Sequence, residues 1–279
     1  MGYLITGMIA SAAVTLILKL AETGRGNRYA VLLGNYLTCI AASALQINGR
    51  HVSADRFTVL CGLAAGVLFV AGLVMMQRSI SANGASLTGA FAKLGMLVPL
   101  MLGIILFHEM PGISGMIGIV LSVFAIILIH RPDDEKHTAV QTPLLLGTLA
   151  GCGLSDAMAK IFQGYGDPAN EPLYFLILFS AAACLTAVLC IREYRITHRG
   201  ITGRDLLYGV LIGIPNFYSA FLLLNALRTL PAVVVYPAYS VGSLLLILAG
   251  GRVFFHEPLR RNELAGIVLI VISLVFLNV

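Results

Sequence analysis

Charge is what this sequence has least of. Only 11% of its 279 residues are Asp, Glu, Lys or Arg, whereas a soluble domain carries about 25%. With 58% of the chain hydrophobic, a soluble fold would leave large apolar patches in water. Tryptophan is absent, which argues against an aromatic cage for quaternary ammonium ligands. Acidic residues are outnumbered, giving a net charge of +5. The basic residues sit in short loops between apolar runs, so they read as orienting charges and not as a nucleic-acid surface. The five cysteines (Cys39, Cys61, Cys152, Cys184, Cys190) lie inside apolar runs without metal-ligand spacing and read as small buried thiols. His-Glu occurs at His108-Glu109 and His256-Glu257, but no second His follows at zinc-protease spacing. No metal and no cofactor is expected. All six histidines (His51, His108, His130, His137, His198, His256) fall in or beside loops, which leaves the apolar runs without the nucleophile and base of an intramembrane enzyme. The first run also lacks the basic flank and cleavage site of a signal peptide, so it reads as a mature helix.

What the sequence does have is long apolar runs. A helix crosses the bilayer with about 20 apolar residues. Ten such runs stand out: 3–20, 29–47, 57–78, 85–107, 113–129, 144–162, 173–191, 206–228, 233–255 and 263–279. The expected fold is therefore an all-α integral membrane protein with ten transmembrane helices. A charged linker, 131–142, separates a first five-helix unit, 1–130, from a second, 143–279. Pro99, Pro215 and Pro237 mark expected interruptions of their helices.

The two units resemble each other. Under a shift of 148 residues, positions 69–129 lie over 217–277 without a gap, with thirteen of 61 identical. The identities cluster: Phe107-His108-Glu109 repeats as Phe255-His256-Glu257, and Gly118-Ile119-Val120-Leu121 as Gly266-Ile267-Val268-Leu269. Gly62 and Gly66 have a looser echo in Gly209 and Gly213. Five helices is an odd number, so the second unit must enter the membrane inverted. Inverted repeats with a site between them are a transporter architecture.

An apolar helix ending in Phe-x-Glu, then a turn and a Gly-led apolar helix, once per unit, resembles the drug/metabolite transporter superfamily, EamA type. Lys19 and Lys160, closing the first helix of each unit, fit the same pattern. The resemblance covers essentially the whole chain. It implies a multi-pass transporter of the cell (plasma or inner) membrane with both termini inside. The charges of the chain itself point the other way. Thirteen basic residues flank odd-numbered loops and four flank even-numbered ones, which favours termini outside.

Charges within the runs are costly and mark function. Lys93 lies about eight residues into the fourth run, and its repeat mate is Val241, so fold symmetry does not require it. It is the expected cation for a substrate carboxylate, or the partner of Asp156. Asp156 and Lys160 stand four apart on the sixth run, in the favourable order for an intrahelical pair, with Lys160 able to snorkel to the interface. The alternative is a protonatable Asp156 that couples proton movement to transport. Asn35 and Tyr36, Asn216 and Tyr218, and Tyr236, Tyr239 and Ser240 are polar residues that either line a substrate cavity or bond helix to helix. Glu109 and Glu257, beside helix starts, read as structural. The cavity is expected between the units, with the fifth and tenth helices outside it. The resulting function is secondary transport of a small polar or amphipathic, amino-acid-like metabolite by alternating access. A lipid-carrier flippase of the same fold is the alternative. The expected partners are that substrate, a coupling proton and the lipid bilayer, for a monomer or homodimer.

Overall fold

The computed structural model describes all residues except 23–26, 48–51, 84, 130–140, 199, 257–260 and 279. Glu257, the charged linker with His130 and His137, and the loop residues Arg25, Arg50, His51, Arg199 and Arg260 thus lie outside the described residues. The others form eleven α-helices, and no strand occurs among them. They are α1 (Gly2–Glu22), α2 (Arg28–Ile47), α3 (Arg56–Asn83), α4 (Ala85–Leu94), α5 (Leu97–Phe107), α6 (Ile113–Ile129), α7 (Thr142–Tyr165), α8 (Glu171–Thr197), α9 (Gly203–Thr229), α10 (Ala232–Phe255) and α11 (Arg261–Asn278). Eight stretches, one of them α4 and α5 taken together, are long and apolar enough to cross a membrane, and α6 is a shorter apolar helix. The chain is a multi-pass, all-helical membrane protein.

Proline chemistry explains why ten runs give eleven helices. Pro99 has no N–H to donate back to the Gly95 carbonyl, and the helix breaks there, at Gly95 and Met96. The freed Gly95 carbonyl instead accepts from Val98 N–H at 3.0 Å, a tighter turn that starts α5. The other two expected interruptions do not occur. Pro215 and Pro237 lie inside α9 and α10, which run on through them. A single missing backbone bond is tolerable in a packed bundle.

Packing partners exchange under the sequence repeat. The shift sets α3 against α9, α2 against α8, α4 with α5 against α10, and α6 against α11. Accordingly α3 packs on α7 as α9 packs on α1, α3 on α8 as α9 on α2, and α4 and α5 on α7 as α10 on α1. The helix pairs α2–α8 and α6–α11 meet across the relation. The detail is residue by residue: Gly118 of α6 abuts Leu277, and its mate Gly266 of α11 abuts Ile129, the mate of Leu277. Both Phe-His-Glu helices close with the histidine in the left-handed region, His108 at φ 52° and His256 at φ 53°.

The helices divide the interior in two. One core centres on α10, with Tyr236, Val241 and Leu244 packed against Leu94, Met96 and Ile126. The other is aromatic, with Tyr36, Phe175, Phe179 and Phe217 between α2, α8 and α9. The α6–α11 pair lies to one side and packs mainly on itself. Its serines serve that contact: Ser122 and Ser273 share a hydrogen bond of 2.6 Å, and Ser114 donates to the Phe276 carbonyl at 2.7 Å.

Candidate functional site

The break between α4 and α5 places a charge in the middle of a span. Lys93 occupies the last turn of α4, at the negative end of that short helix's dipole, which favours a cation. Its ammonium donates to Ser243 Oγ on α10 at 3.3 Å. Alongside runs α7, so close that Gly153 has no room for a side chain beside the Gly95 carbonyl. One turn further along α7 is Asp156. Lys93 and Asp156 act on each other electrostatically, but no contact ion pair joins them among the described residues. None of these residues donates a hydrogen bond to the Asp156 carboxylate. Both side chains are enclosed by protein yet keep part of their accessible surface.

Tyrosines ring this pair. Tyr236 O–H donates to the backbone carbonyl of Asp156 at 2.8 Å, tying α10 to α7. The Tyr239 ring lies against Gly7 of α1, with the Ser11 and Ser219 hydroxyls in its electrostatic surroundings. Tyr174, Tyr236 and Tyr239 all lie within the electrostatic reach of Asp156. The buried Tyr174 hydroxyl has no hydrogen-bond partner among the described residues, and its ring stacks on Phe162 at 4.2 Å. The arrangement offers separated positive and negative groups with phenol rings and hydroxyls about them, supplied by α1, α4, α7, α8, α9 and α10.

The other sequence candidates lie elsewhere. Asn216 Nδ2 donates to Asn35 Oδ1 at 3.1 Å and to Cys39 Sγ at 3.7 Å, a polar clasp between α9 and α2. Tyr36 is 1% exposed and lies between Phe69 and Phe179 in the aromatic core. Tyr218 is 49% exposed, on the outside of α9. Ser240 offers its carbonyl to Ser243 Oγ at 3.0 Å.

Lys160 departs most from expectation. It neither pairs with Asp156 nor snorkels to the interface, and is only 2% exposed. Its ammonium donates to Glu109 Oε1 at 2.6 Å and to Gln163 Oε1 at 2.8 Å, and lies 4.5 Å from the centre of the Phe107 ring. Glu109 Oε2 accepts from Ala232 N–H at 2.6 Å. Ala232 is the first residue of α10, whose leading N–H groups have no partner within the helix. The carboxylate therefore caps the start of α10, and not that of α6, the helix that its position in the chain precedes.

One part of the site was missed in the sequence. Ser243 carries no special signal, being one serine in an apolar helix. Away from the site, Cys39 is the buried thiol expected; it donates to the Gly213 carbonyl at 3.4 Å and sits within the asparagine clasp. A separate cavity of about 360 Å³ at the end of α8 is lined by Asn27, Cys190, Ile191, Tyr194, Gly200 and Ile201 and includes none of the candidates.

No family model matches the chain. It is 22% identical to an uncharacterized protein of Haemophilus influenzae, over 95% of this chain and 93% of that one. A shorter likeness, 27% identity over 108 residues, covers 38% of this chain and 96% of a probable 4-amino-4-deoxy-L-arabinose-phosphoundecaprenol flippase subunit, ArnE, of Klebsiella pneumoniae. A solved crystal structure superposes over 98% of both chains with a TM-score of 0.73 at 14% identity, which shows a shared fold. The chain is a multi-pass helical membrane protein with a known fold and a weak, partial likeness to a flippase subunit.

Proposed function

We propose that the chain is a secondary transporter of the drug/metabolite, EamA type. It has ten spans in two inverted halves and moves a small polar or amphipathic, amino-acid-like metabolite across the cell membrane by alternating access. The observation that carries this reading is the Lys93–Asp156 pair. Two opposite charges at mid-span cost several kcal/mol to keep there, and a purely structural pair would be in contact and saturated with hydrogen bonds. This pair is neither. Lys93 takes a substrate carboxylate, and Asp156 takes an ammonium or the coupling proton. The broken α4–α5 span, which exposes helix ends at mid-membrane, is the kind of element on which transporters bind charged solutes.

The inverted halves are supported by the exchange of packing partners between α1–α6 and α7–α11. They are supported too by the flippase subunit, a separate protein that aligns with only 38% of this chain. The test is a proteoliposome uptake screen across amino acids, sugars and organic cations, with and without a pH gradient. A substrate is expected among zwitterionic metabolites, and Lys93→Ala is expected to reduce its uptake to background. Normal uptake by that variant would remove the reading. The flippase likeness favours a second reading, movement of a lipid carrier. It predicts translocation of a polyprenyl-phosphate sugar in the same vesicles and no uptake of soluble solutes.

A further inference from the structure

Tyr174, in the first turn of α8, carries a hydroxyl that the fold does not use. Its ring does the packing. It stacks on Phe162 of α7, nearly parallel at 11°, and meets Phe175 edge-on. A phenylalanine would make both contacts. The hydroxyl is buried and has no hydrogen-bond partner among the described residues, and a buried O–H left unbonded costs stability. Tyr236, which is similarly buried, shows the ordinary outcome: its hydroxyl donates to the Asp156 carbonyl.

The unused hydroxyl belongs with the candidate site. The ring packs on α7, the helix of Asp156, and Asp156 and Cys61 are its electrostatic neighbours, with Tyr236 adjoining. The Cys61 thiol is already turned to the Met158 carbonyl, at 3.7 Å. The Asp156 carboxylate receives no hydrogen bond from the described residues. A donor without an acceptor thus accompanies an acceptor without a donor, and the two do not bond each other. A hydroxyl answers both, because it accepts from the phenol O–H and donates to the carboxylate. An ammonium answers only the carboxylate, having no lone pair for the phenol O–H. The hydroxyl of a solute and that of a water molecule share this chemistry.

We propose that Tyr174 is a specificity-determining residue of the Lys93–Asp156 site, selecting a solute that carries a hydroxyl next to its ammonium group. The inference rests on the transporter reading above. Lys93 takes the carboxylate of the solute, Asp156 takes its ammonium and its hydroxyl together, and Tyr174 donates to that hydroxyl. One carboxylate has acceptor sites enough for both groups. A site built to hydrogen-bond a substrate hydroxyl rejects the analogue that lacks it, because its own buried groups are then left unpaired.

The test uses the purified full chain and pairs of solutes that differ by one hydroxyl: L-serine against L-alanine, and L-threonine against L-2-aminobutyrate. Dissociation constants are read from the rise of melting temperature with solute concentration. The parent is expected to bind the hydroxylated member of a pair more tightly by about tenfold or more. Tyr174→Phe should bring that ratio close to one, chiefly by weakening the hydroxylated member. The variant without solute should melt no lower than the parent, since only an unbonded hydroxyl is lost. Equal affinities in the parent, or a ratio that survives Tyr174→Phe, would mean that the phenol holds a resident water or nothing. Either would overturn the assignment and leave the transporter reading standing. A lower melting temperature of the variant without solute would show that the hydroxyl has a partner inside the protein, and would overturn the assignment too. If no member of either pair binds the parent, the amino-acid-like reading fails, and the assignment fails with it.

Discussion

Two lysines lie inside the membrane, and their surroundings differ in kind. Lys160 contacts a carboxylate, an amide and an aromatic ring, and its carboxylate partner also caps a helix. Lys93 has one long bond to a serine and a carboxylate that does not touch it. A buried charge with every bond made has nothing left to offer a solute. A charge held nearby its opposite, with bonds unmade, does. The contrast separates the residues that hold the halves together from those that can bind, although each lysine reads from the sequence as an intramembrane charge.

The largest effect should come from breaking the saturated cluster. Glu109→Ala removes the partner of a charge that is 3% exposed and uncaps α10. The loss of a buried partner typically costs about 3 kcal/mol or more, so a large fall in thermal stability in detergent is expected. Lys93→Ala should do far less to stability, because Asp156 already lacks a contact partner. If the two variants destabilise equally, the distinction between holding and binding fails.

A smaller effect is expected at the asparagine clasp. Asn216→Ala deletes the bond to Asn35 between α9 and α2. Interhelical hydrogen bonds in membranes are worth about 0.6 kcal/mol on average, so a shift in melting temperature of a degree or two, measured by differential scanning fluorimetry, is the expected outcome. A loss comparable to that of Glu109→Ala would place the clasp among the main supports of the bundle. Loss of uptake at normal stability would move Asn216 to the site.

Much of the fold was legible because spans follow from apolar runs alone, and the repeat was legible because Phe-His-Glu and the Gly-led helices survive in both halves. The site was legible only in part. Lys93 and Asp156 stood out as charges in apolar runs. Lys160 was given the wrong partner because spacing along one helix cannot show Glu109, 51 residues away, brought in where α5 packs on α7. Lys160 turned to Glu109 and Gln163, and the Asp156 carboxylate was left without a contact partner among the described residues. Tyr218 follows Asn216 by two residues, roughly 200° around a helix, so if Asn216 faces α2 then Tyr218 faces out. Ser243 was invisible because nothing in a sequence separates a serine that bonds a lysine from one that only bonds its own helix, and this serine does both.

The smallest effect tests whether a saturated carboxylate behaves as such outside the membrane. Asp55 sits just before α3, where its Oδ2 accepts from Thr58 N–H at 3.0 Å and its Oδ1 accepts from Asn170 Nδ2 at 2.8 Å. The hydrogen bond from Thr58, and to a smaller degree that from Asn170, hold its carboxyl below the usual carboxylate range. A carboxyl lowered in the folded state contributes stability above its unfolded value, about pH 3.9, and that contribution is lost as pH falls through the folded value. Asp55→Asn keeps an acceptor for Thr58 N–H but removes the charge near the helix start. The variant should therefore melt slightly below the parent from pH 8 down to about pH 5, and the gap should close below about pH 4, where the parent's carboxyl takes up its proton. A gap that stays constant into acid would show that shape, not charge, sets the worth of this cap. The same reasoning applied to Glu109 would then have to rest on its hydrogen bond to Ala232 and not on its pairing with Lys160.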